Sequence, residues 1–145
     1  RGLGDVYKRQ SVESDKSKKK ADLERRCDII NSSGADMVIS IHQNSYVTPK
    51  AEGAQVFYYK KSEESKRIAQ IMQGILGEKL GTTRQIKSDV NYYILLHSKL
   101  PTIISECGFL SNPEEEQRLC TEEYQEKVAD ALYCGIIEYL MMNMK

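Results

Sequence analysis

Two residues that can carry protons or bind a metal follow apolar runs in this chain of 145 residues. Residues 37–45, MVISIHQNS, are mostly apolar up to His42, and residues 102–112, TIISECGFLSN, are mostly apolar up to Glu106. Histidine serves as a metal ligand or a proton carrier, and a buried carboxylate is costly unless it is paired or bound to a metal. Beside a metal, Glu106 could take a proton from water and hand it to a leaving group. The structural alternatives are a satisfied core position for His42 and a salt bridge to an arginine for Glu106.

Strands must position these two side chains. Short apolar runs rich in β-branched residues predict buried strands over 36–41 and 101–106. AQVFYY (54–59) predicts another strand, RQIK (84–87) indicates a short strand, and YYILL (92–96) is an apolar segment of undetermined type.

Helices are predicted between the strands. One covers 21–33, one runs from a cap at Ser62 to a stop at Gly81, one starts at Asn112 and the last starts at Thr121. Strands separated by helices favour an α/β fold, a single domain with a largely parallel central sheet flanked by helices on both faces. Because strand ends gather at one edge of such a sheet, we expect His42 and Glu106 to lie on neighbouring or near-neighbouring strands.

The charge balance, the lengths of the apolar stretches and the cysteine spacing limit the classes of protein to which this chain can belong. The 21 basic and 21 acidic residues balance, so bulk electrostatics does not indicate a nucleic-acid partner. No apolar stretch reaches the roughly 18 residues that a membrane span needs. The cysteines lack metal-site spacing and are expected to be buried free thiols; they are Cys27, Cys107, Cys120 and Cys134. The sequence leaves the oligomeric state undetermined.

Three motifs together resemble the zinc-dependent N-acetylmuramoyl-L-alanine amidases of the amidase 3 type. They are R-x-x-I-x-N at 26–31, S-I-H-x-N at 40–44 and E-x-G-F-L-S-N at 106–112. The resemblance extends over roughly residues 21–140 in the order of the family. YYILLHSKLP and ECGFLSNPEEE are most similar to its spore-cortex branch.

The resemblance implies a peptidoglycan hydrolase that cleaves the amide between N-acetylmuramic acid and the L-alanine of the stem peptide. It implies that His42 is a zinc ligand and that Glu106 deprotonates the attacking water and protonates the departing nitrogen. Asn44 is expected to touch substrate or to stabilise its turn, and Arg84 to pair with a stem-peptide carboxylate or to be an ordinary surface arginine. The implied location is outside the cytoplasm, in the cell wall or the spore envelope.

The chain also departs from the family pattern. The family takes its first histidine and a glutamate from segments before the S-I-H motif, and no histidine precedes His42. We therefore expect residues 1–20 to be a ragged, non-native or loop segment. Residues 21–145 are expected to be the later part of the catalytic domain, without its first strand and first zinc ligands.

Such a fragment is expected to hold zinc poorly and to be impaired in catalysis, which leaves two other functions open. The first is a module that only binds the cell wall. The second is a thiol hydrolase that pairs Cys107 with His42, which would need a depressed thiol pKa.

Overall fold

Alternating helices and strands make up the computed structural model, which describes residues 4–89 and 91–143 and the side chains of 15–89 and 91–142. The elements in chain order are α1 (Gly4–Ser32), β1 (Val38–Asn44), β2 (Gln55–Tyr59), α2 (Glu63–Leu80), β3 (Lys87–Asp89), α3 (Tyr93–His97), β4 (Thr102–Phe109), α4 (Pro113–Leu119) and α5 (Glu122–Asn143). None of the helices described is long and apolar enough to cross a membrane.

The strands form a sheet in the order β1-β4-β2-β3. The β1–β4 and β2–β3 pairs are parallel, whereas β2 runs antiparallel to β4. Two of these three pairings are parallel, so the predicted largely parallel sheet in a single α/β domain is confirmed. β2 and β3 therefore run in the opposite direction to β1 and β4.

Capping residues fix the ends of the helices where the sequence predicts them. The Ser62 hydroxyl accepts a hydrogen bond from the backbone N–H of Ser65 at 3.2 Å. Gly81 ends α2 at a φ of 73°, a left-handed conformation that favours glycine. At the start of α4, Oδ1 of Asn112 accepts hydrogen bonds from the backbone N–H groups of Glu114 and Glu115.

The helices cover both faces of the sheet. On one face, α2 and α5 pack over a core formed by Val56, Ile68, Met72, Leu76, Ile103, Cys107, Val128, Leu132 and Tyr139. On the other face, Leu95 of α3 packs on Phe57 and Ile104. At the end of α5, Tyr139 is buried and the neighbouring Leu140 is exposed.

Several boundaries differ from the predictions. Hydrogen-bonded pairing with β4 extends β1 beyond residue 41, so His42 lies within the strand rather than after it. β3 begins at Lys87 instead of residue 84 because side-chain hydrogen bonds, not strand pairing, hold the preceding residues. The apolar segment of undetermined type forms α3, and the helix predicted for 21–33 is the later part of the longer α1.

The cysteines are free, and the prediction that they are buried is confirmed for Cys27 and Cys107. Cys120 is exposed and Cys134 is intermediate. Cys120 follows directly after α4, at the helix C-cap, and does not enter the core.

Candidate active site

His42 and Glu106 lie directly opposite each other on neighbouring parallel strands. The β1–β4 register pairs Ile41 with Ser105 and His42 with Glu106. Two backbone hydrogen bonds flank this register, from Val38 N–H to the Pro101 carbonyl and from Leu110 N–H to the Asn44 carbonyl. The prediction that the two residues occupy neighbouring strands is confirmed.

Strand alternation determines which face of the sheet carries the site. Gln55 of β2 lies opposite Glu106 in the antiparallel pair, so His42, Glu106 and Gln55 form a row across three strands. Residues two apart on a strand share a face, which puts this row on the same side as Ile104 and Phe57, the side covered by α3. The site therefore lies on the face opposite α2 and α5.

Glu106 is buried, with only 5% of its surface exposed. Its Oε1 accepts a hydrogen bond from the Tyr92 hydroxyl at 3.4 Å, and its buried Oε2 has no hydrogen-bond partner among the described residues. Burial raises the pKa of Glu106, while the charge of His42 and the hydrogen bond from Tyr92 partly offset the rise. A carboxyl with an elevated pKa and one unused oxygen can hold and release a proton closer to neutral pH than an exposed glutamate.

Tyr92 is the neighbour of Glu106 that the sequence analysis missed. Its ring makes an edge-on contact with Phe57, with centroids 5.5 Å apart. Burial, followed by the negative charge of Glu106, raises the pKa of Tyr92 to about 12. The phenol therefore stays protonated near neutral pH and remains a hydrogen-bond donor to the carboxylate. The aromatic pair in YYILL was the available signal, but its side-chain direction depended on an element of undetermined type.

His42 is exposed, and its Nε2 lies 2.9 Å from the Oγ of Ser40, two residues earlier on the same face. A catalytic zinc usually takes three protein ligands and keeps a position open for water or substrate. The described part of the chain contains no group of three or more His, Cys, Asp or Glu residues that could hold a metal. These residues thus offer one imidazole beside a carboxylate with an unused oxygen, and they do not form a complete zinc site by themselves.

A cleft of about 380 Å³ lies next to Glu106. Its walls are Asn44, Tyr46, Gln55, Phe57, Arg84, Lys87, Asp89, Tyr92 and Phe109. Tyr92 donates to Glu106 and Gln55 lies opposite it in the sheet, so the cleft opens beside the buried carboxyl. A peptide held there would lie against Tyr92 and Gln55, the two neighbours of Glu106 that line the cleft.

Asn44 and Arg84, the two predicted substrate contacts, both line this cleft. Oδ1 of Asn44 accepts a hydrogen bond from the following backbone N–H, that of Ser45, at 2.8 Å, which is a turn-stabilising contact. The Arg84 guanidinium lies 4.5 Å from the centre of the Phe109 ring and donates to the Glu52 carbonyl. Both residues thus have structural contacts, and their binding of substrate stays a prediction.

Glu115 is a buried carboxylate that the sequence analysis missed. It binds the backbone of Phe109, a residue of the cleft wall. Oε1 accepts hydrogen bonds from the Gly53 N–H at 2.9 Å and from Nη2 of Arg118 at 3.1 Å. Oε2 accepts from the Phe109 N–H at 2.8 Å. The three successive glutamates after Pro113 predicted a helix start but not which of them faces inward.

The thiol alternative does not agree with this geometry. Cys107 follows Glu106 on the strand and packs in the core on the α2–α5 face, away from His42. Its Sγ lies 3.7 Å from the Ser105 carbonyl oxygen, and burial raises the pKa of the thiol. A nucleophilic thiol needs a depressed pKa and a base within reach, so the pairing of Cys107 with His42 is wrong.

His97, the other histidine, lies on the surface. Its ring stacks on Tyr93 with centroids 3.8 Å apart, and its Nδ1 lies 2.9 Å from the Tyr93 carbonyl oxygen. These contacts explain its place at the end of α3 without a role in the site.

Comparisons with known proteins agree with the fold. The sequence profile of the family described as N-acetylmuramoyl-L-alanine amidase matches residues 6–138. The germination-specific N-acetylmuramoyl-L-alanine amidase of Bacillus subtilis (strain 168) is 42% identical over 125 residues, which cover 85% of this chain and 53% of that protein. The chain thus spans about half the length of this relative.

Solved structures show the same similarity. The CwlD amidase from Clostridioides difficile, in complex with the GerS lipoprotein, superimposes with a TM-score of 0.84 at 38% identity, covering 88% of this chain and 66% of that one. An N-acetylmuramoyl-L-alanine amidase from Clostridium difficile 630 gives a TM-score of 0.77 at 33% identity, covering 81% and 64%. The resemblance noted in the sequence, including its similarity to the spore-cortex branch, is confirmed, and the chain belongs to the N-acetylmuramoyl-L-alanine amidase family.

Proposed function

We propose that the full-length protein hydrolyses the amide between N-acetylmuramic acid and the L-alanine of the stem peptide. The observation that carries this proposal is the pairing of His42 with a buried Glu106 whose Oε2 has no partner among the described residues. A neutral peptide amide resists attack by water, so its cleavage needs an activated water and a proton for the nitrogen that leaves. One imidazole and one proton-carrying carboxyl beside a cleft match that requirement.

Glu106 carries the proton in this mechanism. Its carboxylate accepts a proton from water as the water oxygen bonds to the carbonyl carbon of the lactyl group. The same carboxyl then delivers that proton to the alanine nitrogen as the carbon–nitrogen bond breaks, so the carboxylate is regenerated. Burial favours the neutral carboxylic acid, and Tyr92 holds one carboxyl oxygen while Oε2 remains for the water.

His42 is proposed as one zinc ligand of the full-length protein, with the remaining ligands outside the described residues. When bound, zinc supplies a Lewis acid that polarises the carbonyl and lowers the pKa of water. His42 must be neutral to bind the metal. Ser40, now 2.9 Å from Nε2, is the contact that metal binding at that nitrogen would displace.

Asn44 and Arg84 are proposed to contact the stem peptide in the cleft. Arg84 is already held by the Glu52 carbonyl, the Phe109 ring and Oε1 of Gln55. Such a fixed guanidinium keeps further N–H donors that can bind a carboxylate without first being ordered. We infer from the family's substrate that the protein acts outside the cytoplasm, on the cell wall or the spore envelope.

Zinc content and cleavage by the full-length protein test this proposal together. Glu106→Gln keeps the shape of the side chain but cannot exchange the proton, so we expect normal zinc content and release of stem peptide from peptidoglycan slower by about 10²–10⁴-fold. His42→Ala should lose zinc first and activity as a result. The matched control is His97→Ala, which removes the surface histidine and should change neither quantity. Cleavage by Glu106→Gln at a near wild-type rate would refute the mechanism.

A second function fits the 145-residue chain taken alone. Because its described residues lack a three-ligand metal cluster, this chain could bind cell wall through the cleft without cutting it. That function predicts sedimentation with insoluble peptidoglycan, no release of stem peptide and no bound zinc. Stoichiometric zinc together with peptide release from the same chain would exclude it.

A further inference from the structure

The cleft beside Glu106 ends in two side chains of opposite charge on β3. Lys87 and Asp89 both line it, and they lie two residues apart on the strand. Residues at this spacing share a face and are separated by about 7 Å along the strand. Each has a fixed neighbour on β2, since Lys87 lies opposite Phe57 and Asp89 lies opposite Tyr59.

Both charges are available for a ligand. Lys87 is exposed, and its Nζ lies 5.8 Å from the centre of the Phe57 ring. Oδ1 of Asp89 accepts a hydrogen bond from the Asn91 N–H, and Oδ2 has no hydrogen-bond partner in the described part of the chain. Lys87 and Asp89 do not pair with each other, as no ion pair joins them among the described residues. The Arg84 guanidinium, by contrast, already contacts the Glu52 carbonyl and the Phe109 ring.

We propose that Lys87 and Asp89 together bind an amino-acid end that carries both a carboxylate and an ammonium group on one carbon. Lys87 contacts the carboxylate and Asp89 contacts the ammonium group. A ligand with only one of these charges leaves the other side chain unmatched, so the pair discriminates between zwitterionic and singly charged ends. This inference rests on the proposed function, because it names the part of the stem peptide that the cleft selects.

The position of the pair relative to Glu106 defines where on the peptide this end must lie. Gln55 faces Glu106, Phe57 faces Lys87 and Tyr59 faces Asp89, so both members of the pair are two strands across the sheet from Glu106. Lys87 is two residues along β2 and Asp89 is four. With strands about 4.8 Å apart and a rise of about 3.4 Å per residue, the backbone of Glu106 is about 12 Å from that of Lys87 and about 17 Å from that of Asp89. A peptide of three extended residues covers about 10 Å, and a long side chain on the third residue reaches beyond that toward the pair. The end that the pair binds therefore belongs to the side chain of the third residue of the stem. In some peptidoglycans this residue is diaminopimelate, with a zwitterionic end, and in others it is lysine, with an ammonium group alone.

Two tripeptides that differ only in the distal carboxylate test the pair. They are L-Ala-γ-D-Glu-meso-diaminopimelate and L-Ala-γ-D-Glu-L-Lys, titrated into the 145-residue chain by NMR or calorimetry, which requires no catalysis. We expect the diaminopimelate peptide to bind about threefold to tenfold more tightly, the effect of one partly exposed ion pair. Lys87→Gln should remove this preference by weakening only the diaminopimelate peptide. Asp89→Asn should weaken both peptides, since both carry the distal ammonium group.

The control is Lys61→Gln, an exposed lysine beyond the far end of β2, which should leave both affinities unchanged. Circular dichroism of each variant checks that the fold is kept. Equal binding of the two tripeptides, or a preference that survives Lys87→Gln, overturns the inference, and so does the absence of binding by either peptide. These failures leave the proposed function standing if Glu106→Gln and His42→Ala behave as expected in the full-length protein.

Discussion

The hydroxyl of Tyr92 donates a hydrogen bond to Oε1 of Glu106 over 3.4 Å and thereby separates the roles of the two carboxyl oxygens. Oε1 is held, and Oε2 has no partner in the part of the chain that the structure describes. Tyr92 also contacts the sheet, since its ring packs edge-on against Phe57 of β2. The orientation of the candidate proton carrier thus depends on α3 as well as on its own strand.

Tyr92→Phe removes the donor and keeps the ring packing. Because the hydrogen bond from Tyr92 lowers the pKa of Glu106, the variant should raise that pKa further. The measurement is an NMR titration of the labelled glutamate carboxyl carbons in the zinc-free protein. Tyr93→Phe, which keeps the stacking on His97, is the control and should leave the titration unchanged. An unaltered Glu106 titration in Tyr92→Phe would show that the 3.4 Å contact has no energetic effect.

Glu106→Gln should stabilise the zinc-free protein near neutral pH by on the order of 1 kcal/mol, because glutamine carries no charge and so avoids the cost of burying an ionised carboxylate. The folded-state pKa of Glu106 is raised, so its contribution to stability is fully present below the ordinary value of 4.5 and is lost as the pH rises through the raised pKa. Glutamine has no such dependence. Urea unfolding at pH 4 and pH 8 should therefore show a difference between variant and wild type that is larger at pH 8. A difference that does not change with pH would contradict this account.

Glu115→Gln should destabilise the fold, since a glutamine amide group cannot accept all three hydrogen bonds that the carboxylate receives. Its –NH₂ group would face a backbone N–H, either that of Gly53 or that of Phe109. We expect a loss of about 1.5–3 kcal/mol in the free energy of unfolding, the range for hydrogen bonds to a charged group. Glu116→Gln, at an exposed position one residue later, is the control and should be nearly neutral. Equal effects of the two substitutions would argue against the role of Glu115.

Asn31→Ala should loosen the attachment of α1. The Asn31 side chain donates to the His97 carbonyl at 3.1 Å and accepts from the Lys99 N–H at 2.7 Å. The loss of both bonds should cost about 1–3 kcal/mol, at about 0.5–1.5 kcal/mol each. Asn31→Asp keeps the acceptor and loses the donor, so it should show a smaller loss. Hydrogen exchange at the end of α1 and in α3 measures the effect, and exchange unchanged in Asn31→Ala would contradict it.

The sequence predicts the pairing of His42 with Glu106 because both residues interrupt apolar runs, and parallel strands align such interruptions. It also predicts the caps at Ser62, Gly81 and Asn112, because capping depends on local hydrogen bonds. The reversed direction of β2 was not predicted, since strand direction depends on connections that leave no local pattern.

The supporting residues were missed for a related reason. Tyr92 binds Glu106, and Glu115 binds the Gly53 N–H, so each has a partner in another segment of the chain. Only tertiary packing decides which of the three successive glutamates is buried. The proposed zinc site is a different case, because its ligands would come from several segments of the chain, and His42 alone does not complete a coordination shell.

The pairing of β1 with β4 also has a kinetic consequence. These neighbours in the sheet are separated in the chain by β2, α2, β3 and α3. Contacts between such distant segments form late and slow the folding of a domain, because the intervening loop must be closed before the pairing gains any energy. His42 and Glu106 therefore cannot meet in a nascent chain that has not yet produced β4. A chain with this topology brings His42 and Glu106 together only when nearly all of the described sheet is in place, so partly folded molecules present a strand edge without the assembled candidate site.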